Sequence, residues 1–479
     1  LVESVFFEGA LMADENYDLV VIGSGPGGYV AAIRAAQLKM KVAIIEREDL
    51  GGVCLNWGCI PSKSLLKSAE LYQDIQNLKP HGITVGEIGH DFSKVVGRSR
   101  KVANVNSKGV EFLMKKNKID TIYGHASFTS PDELEVEAQD GKKQSVKAKN
   151  FIIATGARSR EISKFPIDGK TVLGYRDAIV QKEQPESVVV IGGGAIGCEF
   201  AYVWASFGTK VTLIEMAPRL LPLEDPESST VLEQELKKLK IEVITGAGVE
   251  DVKKSKGKLE VSYKDGEGKI HKKTVDQTLV SIGVQPNTEK LGLEKAKVKL
   301  SDKGFIQIEK GSYQTSQKNI FAIGDVVGPP MLAHKASLEG IHCVEKLAGK
   351  EIPNIDYSLI PRATYCQPQV ASVGFTEEEA KKKGYDVKIG KFPFQASGKA
   401  RAIGHTVGHV KVVIDRKYGE LLGTHIVGND ATEMIAEGTL AQRLESTADF
   451  VTKTSHAHPT LSEAYLEAME AALGHAVHI

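Results

Sequence analysis

Two cysteines, Cys54 and Cys59, stand four residues apart in the stretch Gly51-Gly52-Val53-Cys54-Leu55-Asn56-Trp57-Gly58-Cys59-Ile60-Pro61-Ser62-Lys63. Such a pair has three chemistries open to it: metal ligation, burial as two unrelated thiols, or a reversible disulfide. A structural zinc needs a second Cys or Cys/His pair at ligand spacing, and none is present, so no metal site is expected. Buried thiols are the ordinary fate of intracellular cysteines. A redox-active disulfide is the better reading, because the pair directly follows a nucleotide-binding pattern and precedes a helical stretch. The opening turn of that helix would depress a thiol pKa and favour the thiolate.

The nucleotide pattern is Gly23-Ser24-Gly25-Pro26-Gly27-Gly28, with Glu46 lying 23 positions past the first glycine. The first glycine permits a tight turn, the second lets backbone approach a pyrophosphate, and the third lets helix pack on strand. Unpaired N–H groups at the helix start then meet the phosphates, and the acid accepts from ribose hydroxyls. A second copy, Gly192-Gly193-Gly194-Ala195-Ile196-Gly197, is followed by Glu215, again 23 positions on. An acid there favours a free 2′-hydroxyl over a 2′-phosphate, hence NAD over NADP. Arg219 nearby is read as a surface residue.

The elements that must position these residues are legible as buried strands and helices. Tyr17 to Gly23 is an apolar strand, Gly28 to Lys39 an Ala-rich helix, and Lys41 to Glu46 the next strand. The same order returns at Ser187 to Gly192, Gly197 to Phe207 and Lys210 to Glu215, an internal repeat offset by 169 residues. Helix is expected over Pro61 to Leu78 and Ala333 to Ala348, and strands over Thr121 to Val146, Phe151 to Gly156 and Ile320 to Asp325. From Tyr357 the pattern turns to strands at Gln369 to Gly374, His409 to Ile414 and Glu420 to Val427. Helices at Ala431 to Leu444 and Leu461 to Leu473 follow, an α+β arrangement.

The cysteine stretch and the two glycine fingerprints together resemble the pyridine nucleotide-disulfide oxidoreductases of the glutathione reductase class. The resemblance runs from Asp14 onward. It includes Ala154-Thr155-Gly156 and Ile320-Phe321-Ala322-Ile323-Gly324-Asp325, and it implies an α/β fold with two Rossmann-like dinucleotide-binding domains, a central domain and a C-terminal α+β dimerisation domain. The expected boundaries are a tail over 1–13, an FAD-binding domain over 14–156, an NAD-binding domain over 157–286, a central domain over 287–356 and an interface domain over 357–479. Residues implied for FAD or NAD are Gly23, Gly25, Gly28, Glu46, Lys63, Ala154, Thr155, Gly156, Gly192, Gly194, Gly197, Glu199, Glu215, Gly283, Gly324, Asp325 and Ala333. Lys63 and Glu199 are implied to balance charge beside the flavin; the plainer reading is a surface salt bridge.

By the same resemblance, His458-Pro459-Thr460-Leu461-Ser462-Glu463 is the catalytic segment, with Glu463 fixing the tautomer of His458 and raising its basicity. His456 is read as structural, as are Cys198, Cys343 and Cys366. Trp57, Lys63, Glu199, the stretch Ala396 to Gly404 and the segment around His458 resemble most the members that oxidise dihydrolipoamide to lipoamide with reduction of NAD. The implied enzyme is a homodimer in which His458 and Glu463 of one subunit serve the disulfide of the other. Cys54 is then the interchange thiol and Cys59 the one facing the flavin. Lipoyl domains of 2-oxo acid dehydrogenase complexes, and the glycine cleavage carrier protein, are the expected partners. The alternatives are an NAD(P)H-dependent reductase of another disulfide or a quinone, and a docking subunit of a multienzyme core. One departure stands out: Gly283-Val284-Gln285-Pro286-Asn287-Thr288 lacks an Arg common in the family.

Composition narrows the rest. The chain has 479 residues, 61 Lys+Arg against 61 Asp+Glu, and five cysteines. A net charge of zero offers no basic stripe for nucleic acid or membrane surfaces, so neither is an expected partner. No apolar run reaches the roughly 18 residues of a membrane span. Few cysteines point to a reducing compartment. The opening residues lack a leader's charge pattern, and Met12, followed by Ala13-Asp14-Glu15, reads as a native start. Bacterial cytoplasm is the expected location, with mitochondrial matrix as the alternative.

Overall fold

The computed structural model describes residues 17–255 and 257–479. The expectations about the 1–13 tail, Met12 and Asp14 lie outside them. The chain divides into two compact units, one drawn from 17–56, 104–158 and 285–355, the other from 57–103, 159–284 and 356–479.

In the first unit, the strand Tyr17–Ile22 is apolar and almost wholly buried, and pairs in parallel with Val42–Glu46 on one side and Lys143–Ile153 on the other. Asp120–Tyr123 extends the sheet beyond Val42–Glu46. A strand buried on both faces reads as a continuous apolar run because helices cover a parallel sheet on each side. The helix Pro26–Gln37 connects the first two strands as a βαβ crossover. Ile320–Ala322 adds in parallel to the far end of Lys143–Ile153. The core beneath this sheet joins Val20, Ile22, Ile45, Phe151 and Ile153 to Leu291, Leu293 and Ile306 of a segment with little regular structure.

The second unit repeats the arrangement. Glu242–Ile244, Lys210–Ile214, Ser187–Ile191 and Gln277–Val280 lie side by side in parallel, the same 3-2-1-4 order around the first strand. A separate antiparallel sheet of Gly248–Ser255, Lys258–Lys264 and Ile270–Val275 packs Leu259, Val261 and Tyr263 at period two against this core. The C-terminal portion is a five-stranded sheet, Arg362–Thr364, Gln369–Gly374, Leu421–Gly428, His409–Asp415 and Val387–Pro393, antiparallel throughout. The helices Ala431–Arg443 and Glu463–Leu473 cover it. No helix among the described residues is long and apolar enough to cross a membrane.

One long helix, Phe92–Lys116, was not expected. Its buried apolar residues Phe92, Val96, Ala103, Val110 and Met114 recur at spacings of four and seven, a narrow stripe diluted by polar neighbours.

Candidate functional site

Cys54 and Cys59 are joined as a disulfide. Cys54 lies in the short helix Gly52–Asn56, and Cys59 is the first residue of the helix Cys59–Gln76, whose N-cap, Gly58, provides no side-chain cap. The helix start therefore supports negative charge on the Cys59 sulfur whenever the disulfide opens. Both cysteines are half-buried. Asn56 anchors the intervening turn by donating from Nδ2 to the carbonyls of Leu50 (3.0 Å) and Gly52 (3.1 Å). Cys198, Cys343 and Cys366 are buried free thiols whose pKa values burial pushes up, so they are inert by environment.

The two glycine fingerprints show one division of labour. A Cβ on Gly23 would meet the Ala154 carbonyl oxygen at 2.5 Å, and one on Gly28 the Gly23 oxygen at 1.9 Å, whereas at Gly25 nothing lies within 4 Å. In the second copy, Gly192 would meet the Ser281 oxygen at 2.6 Å and Gly197 the Gly192 oxygen at 1.9 Å, and Gly194 is again open. The outer glycines are demanded by protein packing. The middle one borders free space at the N-terminus of a helix that has no side-chain cap. That is the cradle a pyrophosphate requires. Gly156, at φ +68°, also borders open space, and Gly283 adopts φ +100°.

Glu46 is 8% exposed and tightly oriented: Oε2 accepts from the Ser24 N–H (2.9 Å) and hydroxyl (2.6 Å), and Oε1 accepts from the N–H groups of Arg47 (2.7 Å) and Glu48 (2.9 Å). The Ser24 hydroxyl is the one rotatable donor, so a ribose hydroxyl can replace it. Glu215 is half-buried and accepts from the N–H of Gly193 through Oε2 and of Ala217 (2.7 Å) through Oε1, leaving acceptor capacity on both oxygens. Both acids thus suit an adenosine ribose. Arg219 is half-buried rather than on the open surface, donating to the Pro222 carbonyl at 3.3 Å.

Sequence reasoning missed the buried pair that supports the Asp325 turn. Lys335 and Glu339 are each 1% exposed and 3.1 Å apart. Lys335 Nζ donates to the carbonyls of Gly324 (3.0 Å) and Gly328 (3.2 Å), and Glu339 Oε2 accepts the Gly324 N–H at 2.7 Å. Burial raises the pKa of Asp325, with the Lys335 charge opposing it. An i, i+4 Lys–Glu pair normally marks a solvated helix face, which is why it gave no signal here. Ala333 is the first residue of their helix, Ala333–Leu347. In the same unit the Thr155 hydroxyl donates to the Asn287 carbonyl and Asn287 Nδ2 donates back to the Thr155 carbonyl. Arg158 holds the Arg-less segment by donating to Pro286, Asn287 and Glu289.

In the second unit Lys63 Nζ lies 3.0 and 3.1 Å from the two carboxylate oxygens of Glu199 and 4.1 Å from the Tyr365 ring centroid, and the Tyr365 N–H donates to Glu199 Oε1. Glu199 is 7% exposed, so this is no surface bridge. His458 Nδ1 lies 2.8 Å from Glu463 Oε1, and Glu463 Oε2 accepts the Thr460 N–H at 2.7 Å. Burial pushes the Glu463 carboxyl up, but the Thr460 N–H and the His458 ring outweigh it and hold it below its ordinary range. The His458 side chain is 80% exposed. His456 is buried between the Thr454 carbonyl and Glu437, a structural placement.

Residues 17–340 match the family model described as pyridine nucleotide-disulphide oxidoreductase, and residues 360–469 match the dimerisation domain of that family. The chain belongs to the pyridine nucleotide-disulphide oxidoreductases. It is 46% identical over 468 residues to a dihydrolipoyl dehydrogenase of Zymomonas mobilis, covering 98% of this chain and all of the relative. It is 46% identical over 478 residues to a dihydrolipoyl dehydrogenase of Rhizobium etli, covering 96% and 98% respectively. Among solved structures it is similar to an HOCl-induced flavoprotein disulfide reductase of Escherichia coli in its Cu(II) complex. There the TM-score is 0.86 at 27% identity, covering 95% of this chain and 99% of that one. The α/β architecture expected from the resemblance is that of the family.

Proposed function

We propose that this chain is an NAD-linked, FAD-containing oxidoreductase that oxidises protein-bound dihydrolipoamide to lipoamide through the Cys54–Cys59 pair. The observation that carries the reading is the disulfide seated at the start of a long helix in a chain with two pyrophosphate cradles, each backed by an acid. Gly23, Gly25, Gly28, Glu46 and the Asp325 turn would hold FAD; Gly192, Gly194, Gly197 and Glu215 would hold NAD. When bound, FAD supplies the two-electron relay between sulfur and nicotinamide.

The chain's own residues do the thiol chemistry. His458, oriented by Glu463, takes a proton from a substrate thiol, because the thiolate is the attacking species. The thiolate attacks Cys54, the Cys54–Cys59 bond breaks, and Cys59 leaves as a thiolate supported by its helix start. The second substrate thiolate attacks the mixed disulfide and releases oxidised lipoamide. Lys63, paired with Glu199, supplies positive charge held in place by a buried carboxylate. The exposed His458 ring fits a homodimer in which it serves the partner's disulfide, with the C-terminal sheet as interface. Lipoyl domains of 2-oxo acid dehydrogenase complexes, the glycine cleavage carrier protein, or both are the partners this reading calls for, in bacterial cytoplasm.

Cys54→Ser should abolish NADH formation from dihydrolipoamide while flavin remains bound; retained turnover would remove the mechanism. The likeness to the E. coli disulfide reductase favours a second reading, an NAD(P)H-dependent reductase of another disulfide. Rates with dihydrolipoamide plus NAD, set beside rates with glutathione disulfide plus NADPH, decide between them.

A further inference from the structure

Trp57 stands between the two cysteines, and two guanidinium groups lie over its ring: Arg100 at 4.9 Å from the centroid and Arg176 at 4.8 Å. The arginines come from separate segments, the helix Phe92–Lys116 and the short helix Tyr175–Ala178. All three side chains are half-buried. Guanidinium planes hold an aromatic face by charge and by stacking, so the ring is gripped by two parts of the fold distant in sequence. Trp57 thus ties the inter-cysteine turn to remote structure, while Asn56 donates to the carbonyls of Leu50 and Gly52.

While the disulfide is closed, covalent geometry holds the sulfurs together. Reduction by a dithiol breaks the Cys54–Cys59 bond, moves two electrons and two protons onto the cysteines, and closes the reductant's own S–S bond. From then on only the chain keeps one thiol within reach of the other. A turn free to open lowers the local concentration of each thiol around its partner and so disfavours re-formation of the bond.

We propose that Trp57, held by Arg100 and Arg176, is a positioning residue that keeps the reduced cysteine pair preorganised for re-closure and thereby lowers its reduction potential. The inference rests on the redox reading of the pair. Purified holoenzyme is equilibrated anaerobically with dithiothreitol couples of graded potential. The thiols are then alkylated, and the Cys54/Cys59 peptides are quantified by mass spectrometry. For Trp57→Ala, the equilibrium constant for closing the disulfide should fall about tenfold, a rise of about 30 mV. Trp57→Phe, which keeps an aromatic face for the arginines, should stay near wild type. Arg176→Gln, which keeps the ring, should shift in the same direction by less than Trp57→Ala, and provides the test if Trp57→Ala does not fold. An unchanged potential in Trp57→Ala, or in Arg176→Gln where that variant stands in, would overturn the proposal. So would an equal shift in Trp57→Phe and Trp57→Ala. A wild-type pair that stays oxidised at every potential would instead overturn the redox reading beneath it.

Discussion

Replacing Lys335 by Met tests whether the Asp325 turn is held by a buried ion pair. The substitution keeps an unbranched chain only one atom shorter and removes the charge and donors. It strips Glu339 of a cation 3.1 Å away in a site where both residues are 1% exposed, and takes a donor from the carbonyls of Gly324 and Gly328. Breaking one partner of a buried pair costs about 3 to 5 kcal/mol. The Lys335 charge also opposes the burial that raises Asp325, so its loss drives that carboxyl further toward the neutral form. If the cost falls on the bound shape of the 324–328 turn, FAD affinity drops by roughly two to four orders of magnitude. The assay is the ratio of visible to 280 nm absorbance after desalting, with melting curves taken with and without added FAD. Lys335→Met should emerge largely colourless and melt lower, and added FAD should raise its melting point. Lys335→Met/Glu339→Gln should recover part of the loss, because no uncompensated charge remains. A single variant that keeps full flavin and melts within about a degree of wild type would refute the reasoning, since a shift of several degrees corresponds to about 1 to 2 kcal/mol.

Gly28→Ala, which forces a methyl to 1.9 Å from the Gly23 oxygen, should fail to accumulate as folded protein, whereas Gly25→Ala should fold and show weakened FAD binding by fluorescence titration. Glu463→Gln should retain flavin yet lose roughly 100-fold or more in kcat with dihydrolipoamide, because the imidazolium loses its orienting charge. His409 is buried and its pKa is lowered to about 4, by desolvation first and the Lys391 charge second. Between pH 6.5 and 4 the unfolded chain therefore binds a proton that the folded chain does not, and stability falls with acidification by at most about 1.4 kcal/mol per pH unit. His409→Gln should flatten the fall of the melting temperature over that range.

What could be read in advance was whatever recurs at a fixed period or spacing. The strands around Val20 and Val189 end in unbroken apolar runs, and the turns after them need glycine for packing reasons that leave a literal pattern. The pairing of His458 with Glu463 is local in the chain and resembled a known segment. The supports were illegible because they join residues with no shared period. Arg100 and Arg176 meet Trp57 from positions 43 and 119 residues away. Lys411, 3% exposed, meets Asp225, 0% exposed, across 186 residues. Lys335 and Glu339 do share a helical spacing, but that spacing describes exposed salt bridges far more often than buried ones.

The two dinucleotide cradles have equal spacing and unequal surroundings, and the difference separates a group that stays from one that leaves. Over the first, the helix Ala333–Leu347 packs against Pro26–Gln37 so closely that a Cβ on Gly340 would meet the Gly27 carbonyl oxygen at 2.6 Å. That contact brings the Asp325 turn beside the same cradle. Its acid, Glu46, is buried under four donors. Gly25 and Gly194 open on space alike, but the acid of the second cradle is only half-buried and has two donors. A ligand of the first would lie beside a buried acid and closely packed helices, a ligand of the second beside a more exposed acid. Purified protein should therefore carry FAD through prolonged dialysis and carry no NAD, and titrated NAD should bind and exchange within the time of mixing. Copurification of both nucleotides, or ready loss of the flavin, would show that the packing around the cradles does not govern residence.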